Sequence, residues 1–162
     1  MGGVMRSGTK IVATGTTAAL LLAGPAALGS TRRISDPNDV PRRRVDVKSA
    51  SHSHLGGRLK HTIVAFKAFR TSRGPCVTFE TNGRGDADYR VCGLGNMTDL
   101  KEQVSKPVVS IRRPNPRTIV YVFRKKAIGS PGRYRWFVKE PGPNDCEICD
   151  RAPNSGMVTH DI

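Results

Sequence analysis

The chain has 162 residues, with 27 Lys and Arg against 13 Asp and Glu, for a formal net charge of +14. That length suggests one domain plus a leader. Apolar residues at 37% and aromatics at 6% exclude a large core, while the charge draws polyanions and aids solubility without bearing on fold.

Residues 1–29 read as a secretory signal peptide. Arg6 and Lys10 form a positive start, and Ile11 to Ala23 is an acid-free apolar stretch centred on Ala18 to Ala23. Pro25 breaks the run, and Ala27-Leu28-Gly29 supplies the small residues a signal peptidase reads. The run is shorter than the ~20 residues of a spanning helix, although an uncleaved anchor is the competing reading. Arg6 and Lys10 hold two of the +14 charges, which leaves +12 beyond the leader. No later segment is apolar enough to span a membrane, so the expected localisation is secreted, or extracellular.

Residues 30–44 form a polar, basic lead-in, with turn chemistry at Asp36-Pro37-Asn38-Asp39 and a basic run at Arg42-Arg43-Arg44. Residues 45–162 then read as one β domain. Val45 to Ala50 alternates, and Gly56-Gly57 resets the chain. Arg58 to Phe69 carries apolar residues on both parities, which fits a central or bent strand. Cys76 to Glu80 and Tyr89 to Cys92 flank the glycine-rich turn at Asn82-Gly83-Arg84-Gly85 and read as a hairpin. Thr98 to Lys106 fits a short helix or a strand. Val108 to Ile111 is followed by Pro114-Asn115-Pro116, and Thr118 to Phe123 is the clearest strand. Its inward set is either Ile119, Tyr121 and Phe123 or Val120 and Val122. In Arg133 to Val138, Tyr134, Trp136 and Val138 share one parity, with Arg133, Arg135 and Phe137 on the other. Gly156 to Ile162 offers an edge strand. No run of ten residues keeps a helical period. The expected fold is all-β, an antiparallel sandwich (jelly-roll or Ig-like) of roughly seven or eight strands.

Four cysteines in an exported chain favour two disulfides. In the hairpin Cys76 faces Cys92, leaving Cys146 and Cys149 to close a C-x-x-C ring. A zinc site and a thioredoxin-like redox site are the alternatives.

Several segments carry a resemblance. They are Ser35-Asp36-Pro37-Asn38-Asp39, Gly57 to Ile63, Arg113-Pro114-Asn115, Phe123-Arg124-Lys125, Tyr134-Arg135-Trp136, and the ending Cys146-x-x-Cys149-Asp150-x-Ala152-Pro153. In these the chain resembles a group of exported bacterial domains, mostly actinobacterial, with no assigned activity. The resemblance implies a secreted β-sandwich and carries over no catalytic or ligand-binding residue.

Asp36, Asn38 and Asp39, and likewise Asn82, Asp86 and Asp88, are oxygen clusters of the kind calcium takes; ordinary Asx turns are the alternative. Calcium is the one cofactor they invite. Arg84-Gly85-Asp86 spells a receptor-binding tripeptide that is common by chance. His52 and His54 share a strand face and, with His61 or Asp46, would suit a metal; an exposed polar stretch is the plainer reading, and His61 fits a structural histidine. There is no G-x-S-x-G and no H-E-x-x-H, and the pair of Glu80 and Asp88 across the hairpin reads as a solvated face, so no enzyme is expected. The basic residues Arg112, Arg113, Arg124, Lys125, Lys126, Arg133 and Arg135 remain. They form either a solvated face or a cationic surface that holds anionic cell-surface polymer by counterion release. Nucleic acid fits an extracellular compartment poorly. The leading expectation is a secreted, non-enzymatic domain that binds such a polymer. The alternative is a structural or protein-interaction domain whose charge serves solubility only.

Overall fold

β-branched and aromatic residues at period two, cut by Gly-Gly, Pro-Asn-Pro and Ser-Pro-Gly, dictate short strands joined by tight turns. The computed structural model describes residues 31–39, 45–140 and 150–162, and there the chain is all-β, in two antiparallel sheets. The leader, Arg42 to Arg44, Cys146 and Cys149 lie outside these residues.

The first sheet runs in the order β1 (Arg32–Ser35), β2 (Val47–Leu55), β3 (Arg58–Ala65), β9 (Thr118–Arg124), β8 (Val109–Asn115). The second runs β11 (Arg151–Ala152), β10 (Arg133–Lys139), β4 (Cys76–Glu80), β5 (Tyr89–Val91), β6 (Met97–Asp99), β7 (Val104–Lys106), and β12 (Val158–Asp161) also pairs with β10. The described residues thus hold twelve strands rather than seven or eight, because several segments expected as loops or single runs form strands of two to four residues. Thr98 to Lys106 is resolved as parts of two such strands, β6 and β7, joined by a turn. The lead-in supplies β1, which pairs with β2 from Arg32↔His52 to Ser35↔Ser49.

Gly56 and Gly57 both take positive φ, 55° and 72°, in the two-residue turn that joins β2 to β3. Only glycine adopts that pair cheaply, and its twist matches that of the flanking strands. β3 is central and pairs with β9 through Leu59↔Phe123, His61↔Tyr121 and Ile63↔Ile119. That register selects Ile119, Tyr121 and Phe123 as the inward set of β9. In the opposing sheet, Trp136↔Phe79 and Val138↔Val77 align β10 with β4, and Tyr134, Trp136 and Val138 are buried. The two inward faces share one apolar core, as in a β-sandwich. The hairpin of β4 and β5 pairs Val77↔Val91 and Phe79↔Tyr89, which sets Cys76 beside Cys92, and the two are disulfide-bonded.

Among the described residues no helix is long and apolar enough to cross a membrane.

Candidate anion-binding groove

At one flank of the two sheets, neither edge is paired with a further strand among the described residues. β8 ends the first sheet and β7 ends the second. Between them opens a groove of about 630 Å³, within the size range of small-ligand sites. Its floor is apolar, with Tyr89, Met97, Val122 and Phe123, and Val104 and Val108 stand on it 42% and 46% exposed. These two valines are half of the four large hydrophobics that stand exposed among the described residues, so apolar surface is concentrated here.

Four cations line this groove: Arg58 at the start of β3, Lys106 at the end of β7, Arg124 at the end of β9, and Lys126 in the 3-10 turn Lys125–Ile128. Strand ends deliver three of the four, and the antiparallel pairing of β3 with β9 sets Arg58 opposite Arg124. The turn that carries Lys126 is held to the β2–β3 turn by the Lys125 amide donating to the Gly57 carbonyl, 2.8 Å. All four side chains are exposed, and none makes an ion pair or side-chain hydrogen bond with another described residue. The one acid of the lining, Asp99, is occupied by its own turn: its Oδ1 accepts from the Lys101 and Glu102 amides at 3.0 and 3.1 Å. Like charges so placed are stabilised by an anion that spans them.

The other basic residues singled out in the sequence are used differently. Arg113 donates to the carbonyls of Phe69 and Pro116 and to Thr71 Oγ1, and stacks on the Phe69 ring at 4.3 Å. It clamps a loop. Arg133 pairs with Asp161 in the open. Arg135 pairs with Glu80 at 2.6 Å, where β10 and β4 lie in register. Burial pushes the Glu80 carboxyl up, but the Arg135 guanidinium and the amides of Gly83 and Gly85 outweigh it and hold it below the usual range. Arg112 is exposed on β8, and Lys125 is half-buried. Of the seven, only Arg124 and Lys126 line the groove. Arg58, Lys106 and Tyr89 were missed, because they are far apart in sequence and meet only through sheet pairing.

All four histidines converge on the inner face of the first sheet and the C-terminal strand. His54 Nδ1 and His160 Nε2 are 2.9 Å apart, the His52 and His160 rings are 3.8 Å apart, and Trp136 Nε1 donates to His52 Nδ1 at 2.7 Å. His61 Nε2 meets the Tyr134 hydroxyl at 2.9 Å. Burial, reinforced by neighbouring histidines, lowers His52 to about 3 and His160 to about 4, and holds His61 well below its ordinary value. These three rings are therefore neutral at pH 7 and serve as polar members of the core. The metal set of His52, His54 and His61 or Asp46 is not assembled: among the described residues, only Asp36, Asp39 and Asp150 bring three ligand atoms together. His160 was missed because nothing local marks it; β12 carries it in from the end of the chain.

The second oxygen cluster is spent on its own loop. Asp88 accepts from the Thr81 amide at 2.7 Å, the Thr81 hydroxyl and Asn82 Nδ2, while Asn82 Oδ1 accepts from the Arg84 amide. Asp86 stands exposed, and Asn38 is likewise exposed. Glu80 and Asp88 sit opposite one another, as the hairpin register requires, yet their carboxylates serve different partners.

No protein-family model matches the chain, and no curated protein matches it.

Proposed function

We propose that this protein is an exported, non-enzymatic binding domain that takes an anionic polymer in the groove between β7 and β8. One observation carries this reading: four exposed cations, unpaired among the described residues, line a groove of about 630 Å³ with an apolar floor. A charged rim attracts and orients an anion, while the floor receives its less polar face, such as the face of a sugar ring. The partner that suits both is an acidic polysaccharide or other anionic cell-surface polymer. Export is supported by the leader pattern and by the Cys76–Cys92 disulfide, which fits an oxidising compartment. The likeness to exported bacterial domains points the same way.

The polymer reading and the solubility-only reading part under salt. On immobilised dextran sulfate, a groove binder elutes later than its Arg124→Glu, Lys126→Glu double variant. The variant also loses about two from the slope of log affinity against log salt, about one per cation removed. Arg133→Glu, whose side chain is already paired with Asp161, changes retention far less. Losses for the two variants in simple proportion to the charge removed, two to one, would show that the charge acts only in bulk and would refute the groove.

A further inference from the structure

At the opposite side of β2 from the β3 ladder, the end of β1 approaches the start of β11. Asp36 follows β1, Asp150 precedes β11, and Asp39 lies in the loop after β1. Carboxylate oxygens of these three residues all lie within 4.8 Å of one another. Each is fixed by the fold. The Asp36 amide donates to the Lys48 carbonyl at 3.1 Å, Asp150 Oδ2 accepts from the Val47 amide, and Asp39 Oδ2 accepts from Asn154 Nδ2 at 3.2 Å. Asp36 is 7% exposed and Asp150 3%.

This arrangement runs against the charge of the whole chain. Four of its thirteen acids gather here, with Asp46 as the fourth, and the fold buries three of them, Asp36, Asp46 and Asp150. Asp36 Oδ2 is buried and has no hydrogen-bond partner. Among the described residues, the charges that act on Asp36 are carboxylates: Asp150, Asp39 and Asp46. A carboxylate taken out of water beside three others is unfavourable unless something positive joins them. Burial and these neighbours push Asp36 up to about 7. Two species relieve such a site, a proton shared between Asp36 and Asp150 or a cation. A shared proton joins only Asp36 and Asp150 and leaves Asp39 with its contact to Asn154. A cation draws all three carboxylates together.

We propose that Asp36, Asp39 and Asp150 bind one calcium ion, which fastens the loop after β1 to the strand β11 of the other sheet. The ligand set is all oxygen, which suits a hard cation, and its donors come from loops and strand ends rather than from a rigid octahedral frame. Calcium tolerates that irregularity, whereas magnesium demands near-ideal geometry. This site lies apart from the groove residues and does not depend on the polymer reading.

The test uses the full chain stripped with a chelator. Equilibrium dialysis against radioactive Ca²⁺ should give one ion per chain, and Ca²⁺ at a hundred times Kd should raise Tm by about 10 °C. Mg²⁺ at the same concentration should compete weakly. Asp39→Asn, an exposed position, tests binding without risk to the core and should lower affinity at least tenfold. Asp36→Asn separates the two species, because an amide mimics a protonated carboxyl. Under the calcium account this variant folds but binds no ion and shows no Ca²⁺-dependent Tm shift. Wild-type protein that shows no stoichiometric Ca²⁺ uptake, or variants that keep the same uptake, would overturn the proposal.

Discussion

Acid should unfold this protein through its histidines. In an unfolded chain each ring takes a proton near pH 6.5. In the folded chain His52 holds out to about 3 and His160 to about 4, and fully buried His61 stays well below its ordinary value. The charged groups facing them are few. Arg32 adds to the lowering of His52, and Asp161 pulls His160 back up without overcoming burial. Between pH 7 and pH 5 the unfolded state thus binds more protons than the folded state, so stability falls as pH falls. Each neutral ring costs about 1–2 kcal/mol over that interval, and the three together about 3–6 kcal/mol. Asp36 works in the opposite sense. Its carboxyl, raised to about 7, protonates in the folded state first and returns about 1–2 kcal/mol. The net expected loss is about 1–5 kcal/mol, set against the 5–15 kcal/mol typical of a domain. Urea unfolding followed by the fluorescence of Trp136, the only tryptophan and fully buried, measures it at pH 7, 6 and 5 with chelator present. In Asp36→Asn the loss should grow, since the more strongly raised of the two opposing carboxyls, Asp36 and Asp150, is gone. Stability that holds or rises from pH 7 to pH 5 in that variant would refute the reasoning. So would NMR titration of His52, His61 and His160 rings near pH 6.5.

Three further outcomes follow from packing and pairing. Arg135→Ala strands buried Glu80 and should lower Tm clearly, while Arg133→Ala breaks only an exposed pair and should leave Tm within about 1 °C. At Gly93 an added Cβ would lie 1.7 Å from the Thr71 carbonyl oxygen, so Gly93→Ala must displace backbone and should cost about 3 kcal/mol by denaturant melt. Cys76→Ser with Cys92→Ser opens a link between residues 16 apart and should cost about 3 kcal/mol, measured against the oxidised wild type.

How far the sequence could be read depended on whether the signal was local. The Cys76 hairpin was visible because its turn, its strand pattern and its cysteines lie within 17 residues. The alternation of Tyr134 and Trp136 against Arg133 and Arg135 likewise shows in neighbouring residues, and the fold buries the aromatics as that parity requires. The choice between Ile119, Tyr121, Phe123 and Val120, Val122 was beyond sequence, since both sets are apolar and only pairing with β3 decides. Thr98 to Lys106 was ambiguous because each of its strands is three residues long, too short for a period. The site residues were the least legible. Arg58 and Arg124 are 66 positions apart and become neighbours through the β3–β9 ladder. Asp150 joins Asp36 through two sheets, and His160 reaches His52 from the end of the chain. A basic run, such as Arg133 to Arg135, is easy to see, yet there the fold had already assigned each charge a carboxylate.

The groove can be tested most directly by residue-resolved NMR. A short acidic oligosaccharide is titrated into labelled protein at low salt while backbone and side-chain resonances are followed. The account predicts saturable shifts at Arg58, Lys106, Arg124, Lys126 and Tyr89, with Arg133 and Arg135 still. Shifts spread evenly over the exposed arginines, or confined to a face away from β7 and β8, would contradict it.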